Sequence, residues 1–188
     1  MKIAILNGHG KNKEGAVDKK GDDDIYEDKF YTLESVLVRE FGLKLTAKLM
    51  KKHEVLLIRP NDEYVTLSDR CDLADRYGAD IVISLHANAS ANSKANGIET
   101  LHFPESDEGI RLASKVQNRL IHRSKASDRG IKPRGDLYVL KSVLAPAILI
   151  ELGFITNPQE EAKLHNPKYQ EQLIKAIEEG VDEYEKSR

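Results

Sequence analysis

Ile81-Val82-Ile83-Ser84-Leu85 runs without a break into His86-Ala87-Asn88-Ala89. A run that is apolar at consecutive rather than alternate positions suits a strand covered on both faces. Ile3-Ala4-Ile5-Leu6, Val55-Leu56-Leu57-Ile58 and Ala147-Ile148-Leu149-Ile150 read the same way. Residues 98–103 and 137–140 are weaker strand candidates. Helical patterns separate these runs, which predicts a single α/β domain. Its core is a twisted, mostly parallel sheet of about six strands with helices on both faces.

The spacing of Leu37, Phe41, Leu45 and Leu49 predicts a first long helix over 33–51. A second covers 67–77 and stops at Gly78, a residue suited to a helix C-terminus. A third spans 107–122, with Ser106 as its N-cap and two acids in its first turn. Asn157-Pro158-Gln159-Glu160 reads as a capping box with proline at the first helical position. Asn166-Pro167 repeats the cap before a last amphipathic helix carrying Leu173, Ile174, Ile177, Val181 and Tyr184. The polar stretch 11–31 reads as a long exposed loop.

The 188 residues carry 29 Lys+Arg against 31 Asp+Glu, a formal net charge of −2. That balance offers no electrostatic footprint for nucleic acid or for an anionic membrane. No apolar stretch is long enough for a membrane span, and the short run before Asn7 is too short for a signal-peptide core. The expectation is a monomer made and folded in the cytoplasm. Cys71, the one cysteine, shares a helix side with Leu67 and Ala74 and is expected to be a buried packing residue.

Chemistry collects where the strands end. The first strand leads into Asn7-Gly8-His9-Gly10, the third into His86, and the last into Glu151-Leu152-Gly153-Phe154. In open α/β sheets ligands bind beyond the carboxyl ends of strands. One histidine after a strand can simply close a loop, but a sheet edge seldom needs two. The glycines flanking His9 allow the backbone to turn sharply there.

Stepping back along the first helix from Leu37 and Phe41 reaches Glu34, in the middle of the apolar stripe, whereas Glu40 falls outside it and is expected in solvent. A carboxylate facing the core requires a partner or a cation. Glu27, in the preceding loop, is the reserve candidate. Two histidines and one carboxylate with an open fourth position is an arrangement for catalytic zinc, which acidifies water and polarises a carbonyl. A second carboxylate must then carry the proton from the water to the leaving amine, and Glu151 ends a hydrophobic strand where such a group belongs. A fourth metal ligand or a buried structural acid is the other reading of Glu151. His53, His122 and His165 are expected at the surface, and His102 is a weaker candidate for the groove.

These residues belong to a longer pattern. It includes Leu6-Asn7-Gly8-His9-Gly10, the Glu34 helix, Ile58-Arg59, Leu67-Ser68-Asp69-Arg70 and Ser84-Leu85-His86-Ala87-Asn88-Ala89. Further on come Asn96-Gly97-Ile98-Glu99-Thr100, Arg129-Gly130-Ile131 and Pro146-Ala147-Ile148-Leu149-Ile150-Glu151-Leu152-Gly153-Phe154-Ile155-Thr156-Asn157. In this order they resemble the zinc-type N-acetylmuramoyl-L-alanine amidases often called amidase-3. The resemblance implies one zinc ion per chain on His9, Glu34 and His86, with Glu151 as the catalytic acid/base. It also implies peptidoglycan as partner, cleaved at the amide between N-acetylmuramic acid and the L-alanine of the stem peptide. Asn88 and Glu99 would stand behind the ligands or line the groove. Asn7 stands where the family commonly has an aspartate or another small residue.

Residues 1–188 would thus form one amidase catalytic domain. It would reach the wall as a phage-type lysin or as part of a larger protein. The alternatives are a zinc exopeptidase, which more often needs a second set of acids for a metal pair, and a wall-binding module without catalysis.

Overall fold

A computed structural model of the chain describes residues 1–10, 33–61 and 63–188. The whole 11–31 stretch expected as a loop, with the reserve candidate Glu27, lies outside the described residues. Six strands form one sheet: β1 (Lys2–Asn7), β2 (Glu54–Ile58), β3 (Ile81–Asn88), β4 (Ile98–His102), β5 (Asp128–Pro133) and β6 (Ala147–Phe154). Their order is β2-β1-β3-β6-β4-β5. The first four in that order run parallel, and β4 turns the direction by pairing antiparallel with β6. β5 then pairs parallel with β4.

The helices are α1 (Glu34–Leu49), α2 (Leu67–Tyr77), α3 (Asp107–Ser124), α4 (Tyr138–Ser142), α5 (Pro158–Leu164) and α6 (Pro167–Glu185). Alternate side chains of each strand point to opposite faces. Ile3, Ile5, Ile81, Ile83, Leu85, Ile148 and Ile150 meet the apolar stripes of α1, α3 and α6. Ala4, Leu6, Val82 and Leu149 meet Cys71 and Ala74 of α2 and Val139 and Leu140 of α4. This two-sided burial is why the central strands read as unbroken apolar runs. Cys71 is buried as expected, and burial pushes its thiol up to about 11.

The helix ends follow local chemistry. The Ser106 and Thr66 hydroxyls accept the Gly109 and Asp69 N–H groups, and Gly78 closes α2 in the left-handed conformation. Asn157 and Asn166 both cap through their side-chain oxygens. The box at Asn157 is not reciprocal, however. Glu160 Oε2 accepts N–H groups of Gly97 at 2.9 Å and Phe154 at 3.0 Å, and so ties α5 to the sheet edge.

Two expectations need correction. Residues 137–140 are not a strand: α4 begins there. The place beside β4 is filled by β5, whose sequence Asp-Arg-Gly-Ile-Lys-Pro shows no apolar run. An outer strand tolerates charge, glycine and proline because one side makes no ladder. His53 is also not at the surface. It is buried between the Met1 amino nitrogen, 3.5 Å from its Nδ1, and Asp182, 3.6 Å from its Nε2. The last helix covers the turn after α1, which the lysine-rich local sequence did not reveal. His122 and His165 are exposed as expected.

Candidate active site

His86 and Glu151 lie within β3 and β6, because both strands continue past their apolar runs. They are direct partners in the parallel ladder, and Glu99 of β4 faces Glu151 from the other side. Three polar side chains therefore form a row across neighbouring strands on one face. Beyond Glu151 the ladder shifts: Asn88 pairs with Phe154, so β6 spends one more residue than β3. Such bulges bend a strand and re-aim its side chains.

His9 enters from the loop after β1. The left-handed residue there is His9 itself, with φ of 59°, and not Gly8. Gly8 is required for a different reason: a Cβ on it would lie 2.5–2.9 Å from three atoms of the His86 ring. Its missing side chain is the space the second imidazole occupies. The His9 and His86 rings meet edge to face, with centroids 5.1 Å apart.

Glu34 stands in the first turn of α1 and is buried among its apolar neighbours. Its Oε2 is 3.1 Å from His9 Nε2, its Oε1 is 3.0 Å from His86 Nδ1, and Oε1 also accepts the Ala87 N–H at 3.1 Å. Burial alone would raise this carboxyl. The hydrogen bonds from His86 and His9 outweigh it and hold Glu34 far below the usual carboxylate range. One ligand atom from each of His9, Glu34 and His86 lies within 4.8 Å of the others. The structure thus brings together the three residues expected as ligands, while Glu40 is in solvent.

Glu151 has the opposite surroundings. Its Oε2 is buried with no hydrogen-bond partner. Burial first, then the charges of Glu34 and Glu99, push its carboxyl up to about 8, against a smaller pull from Arg134. Glu99 accepts from Asn88 Nδ2 at 3.1 Å, Arg129 Nε at 2.8 Å and Lys132 Nζ at 2.6 Å. Burial would raise Glu99 as well, but these two cations hold it below its ordinary value. The Arg129 guanidinium also lies over the Phe154 ring, 4.9 Å from its centroid.

This donor set suits a divalent transition metal. Two imidazole nitrogens and an ionised carboxylate converge, and an uncompensated carboxylate oxygen stands beside them.

The sequence profile of the N-acetylmuramoyl-L-alanine amidases matches residues 3–183. The chain belongs to that family. Amidases of this family are typically metal-dependent, and the His9–Glu34–His86 group is able to hold a metal ion. Among its relatives, N-acetylmuramoyl-L-alanine amidase LytC of Bacillus subtilis is 30% identical over 189 residues, covering 97% of this chain and 35% of LytC. Uncharacterized protein YqiI of the same organism is 39% identical over 129 residues, covering 67% of this chain and 61% of YqiI. The chain thus spans between about a third and three-fifths of these curated relatives' length. The crystal structure of an N-acetylmuramoyl-L-alanine amidase from Clostridium difficile 630 superposes with a TM-score of 0.91 at 37% identity, covering 100% of this chain and 97% of that one.

Within the amidase fold, His102 is not part of the groove. It pairs with Ile148, three residues before Glu151 near the start of β6, and its Nδ1 lies 3.0 Å from the Phe103 carbonyl oxygen. β4 runs against β6, so its C-terminal end points away from the site. Asn7, the family departure, is fully buried; its Nδ2 donates to the Arg59 carbonyl at 3.1 Å and it touches no ligand atom of the cluster. Arg59 and Arg70, which the sequence presents only inside motifs, are both buried behind the His9 loop. An arginine next to Cys71 on the inner side of α2 was the available signal for the second.

Proposed function

We propose that the protein is a zinc-dependent peptidoglycan hydrolase acting on the amide between N-acetylmuramic acid and the L-alanine of the stem peptide. The observation that carries this reading is the convergence of His9, Glu34 and His86 within 4.8 Å, with Glu151 in register beside His86. The family match and the relatives named as N-acetylmuramoyl-L-alanine amidases support the choice of bond.

His9, Glu34 and His86 would hold one zinc ion, since two imidazoles and a carboxylate with an open side is a catalytic zinc set. When bound, the ion supplies Lewis acidity that polarises the carbonyl under attack and acidifies water. Glu34 stays ionised at any working pH because two imidazoles and the Ala87 N–H stabilise its charge. Glu151 moves the proton. Its buried oxygen takes the proton of the attacking water and passes it to the amine of the departing L-alanine. A carboxyl raised to about 8 returns that proton readily near neutrality. Arg129 and Lys132 keep the neighbouring Glu99 ionised, so Glu151, ionised when it accepts the water's proton and protonated until it gives that proton up, is the member of the row that exchanges one.

Residues 1–188 act as one catalytic unit, a monomer, on the cell wall. Among the described residues no helix is long and apolar enough to cross a membrane. Nothing favours a paired-metal exopeptidase: among the described residues no second His, Cys, Asp or Glu group of this kind exists.

The test is mass spectrometry of peptidoglycan digested with the purified, zinc-loaded protein. Intact stem peptides beginning at L-alanine, released from uncut glycan, are expected, and a chelator should stop their release. Free amino acids, or undiminished activity after metal removal, would overturn the reading.

A further inference from the structure

The chain leaves the sheet after Asn7, with the Gly8 N–H still on the Leu85 carbonyl, and the carbonyls from Asn7 to His9 need other partners. Two buried side chains supply them. The Asn7 carbonyl accepts from Arg70 Nη1 at 2.5 Å and from Arg59 Nε at 3.4 Å. The Gly8 carbonyl accepts from Arg59 Nη2 at 2.9 Å, and the His9 carbonyl accepts from Arg70 Nη2. Three consecutive carbonyls thus end on two guanidinium groups, each side chain belonging to a residue only 3% exposed.

The remaining donors reach outward from the loop. Arg59 Nη2 also donates to the Ser35 carbonyl at 2.7 Å, one residue past Glu34. Arg70 Nε holds the Val65 carbonyl at 2.8 Å, just before α2. Arg59 is itself in the left-handed conformation, φ 68°, as is His9. Neither is a glycine, so both conformations persist only because surrounding bonds hold them. Burying a guanidinium is costly, and Arg70 has no carboxylate partner among the described residues. A planar fork of donors is what can bind several carbonyls in a fixed relation, which a lysine ammonium cannot reproduce.

We propose that Arg59 and Arg70 are positioning residues: together they hold the His9 loop against the start of α1, so that His9 and Glu34 are preset for a divalent metal ion. Arg70 sets the backbone from which the His9 ring projects. Arg59 links that backbone to the turn of α1 carrying Glu34. This rests on the reading of His9, Glu34 and His86 as the metal-holding set.

The experiment measures zinc affinity of the metal-free protein by competition with a chelator, alongside thermal melting, for the unaltered chain, Arg70→Lys, Arg59→Lys and the surface control Arg119→Lys. Each of the first two variants is expected to bind zinc about 10- to 100-fold more weakly, the size of effect seen when groups behind metal ligands are altered. Arg119→Lys, which alters only the α3–α6 pair with Glu183, should bind as the unaltered chain does. Because Arg70 acts through His9, adding Arg70→Lys to His9→Ala should weaken binding no further. If Arg70→Lys does not fold, Arg59→Lys carries the same test. Folded lysine variants with unaltered zinc affinity overturn this inference alone, as does a full further loss in the His9→Ala background, which marks a general structural effect. An unaltered chain that binds no zinc overturns the metal reading itself.

Discussion

Glu34 and Glu151 are the same residue type, both in the candidate site at the carboxyl end of the sheet, yet the fold treats them in opposite ways. Around Glu34, two imidazoles and a backbone N–H converge on the carboxylate, so it stays charged despite burial. Around Glu151, one oxygen meets no donor at all and two other carboxylates stand nearby, so the group keeps its proton up to about pH 8. Donors, not depth, separate the two. A donor-rich acid is suited to hold a cation, and a donor-poor acid to carry a proton.

The strongest way to break this contrast is to remove the charged member. Glu34→Ala should weaken zinc binding by more than about 100-fold, beyond what groups behind the ligands contribute, and reduce hydrolysis to the level of chelated protein. Metal content after dialysis measures the first effect and peptide release the second; retention of stoichiometric zinc would contradict the assignment.

Glu151→Gln should instead keep zinc while losing about 10²- to 10⁴-fold in rate, the usual worth of a positioned acid/base. The same variant has a consequence for stability. The folded carboxyl lies at about 8 and its ordinary value is 4.5, so between these pH values the folded state binds more protons than the unfolded one. Stability of the metal-free protein must then fall as pH rises through that window. Glu151→Gln removes the loss. It should melt higher than the unaltered chain above about pH 8, by about 1–3 kcal/mol, the cost of an unsatisfied buried group, and the gap should close towards pH 4.5. Parallel melting curves at both extremes would show that Glu151 is not raised.

Gly8→Ala attacks the geometry without touching a charge. Its new Cβ would meet the His86 ring at 2.5–2.9 Å, so the ring must move. We expect about 10-fold weaker zinc binding and a loss of about 1–3 kcal/mol from overpacking, read by chelator competition and thermal melting. The smallest effect is reserved for Glu99→Gln. Removing a like charge lowers Glu151, so the acidic limb of the pH–rate profile, where the base loses its proton, should move down by about half a unit. A limb that stays in place would mean Glu99 does not act on Glu151.

The candidate site was legible because its residues interrupt strong patterns. His86 and Glu151 end apolar runs, and Glu34 breaks an apolar helical stripe; each is a polar residue where burial demands a reason. β5 and α4 were not legible in the same way. Asp128 to Pro133 contains no apolar run because an edge strand needs none, and the apolar residues of 137–140 suit either a strand or the inner side of a short helix. His53 sits in a lysine-rich turn and is buried only because α6, more than a hundred residues later, packs over it.

Sequence alone therefore determined the class of fold, the main helices with their caps, and the acid and imidazole candidates at the ends of the strands and on the first helix. Those features depend on periodicity and on local hydrogen bonds, which adjacent residues decide among themselves. Only tertiary structure decided that Glu34 would be held charged while the Glu151 carboxyl is raised, that Gly8 exists to admit a ring from β3, and that two arginines would hold the His9 loop. Each of these depends on which donors, rings and carbonyls are brought within a few ångströms by strands far apart in the chain, and no local pattern encodes that distance.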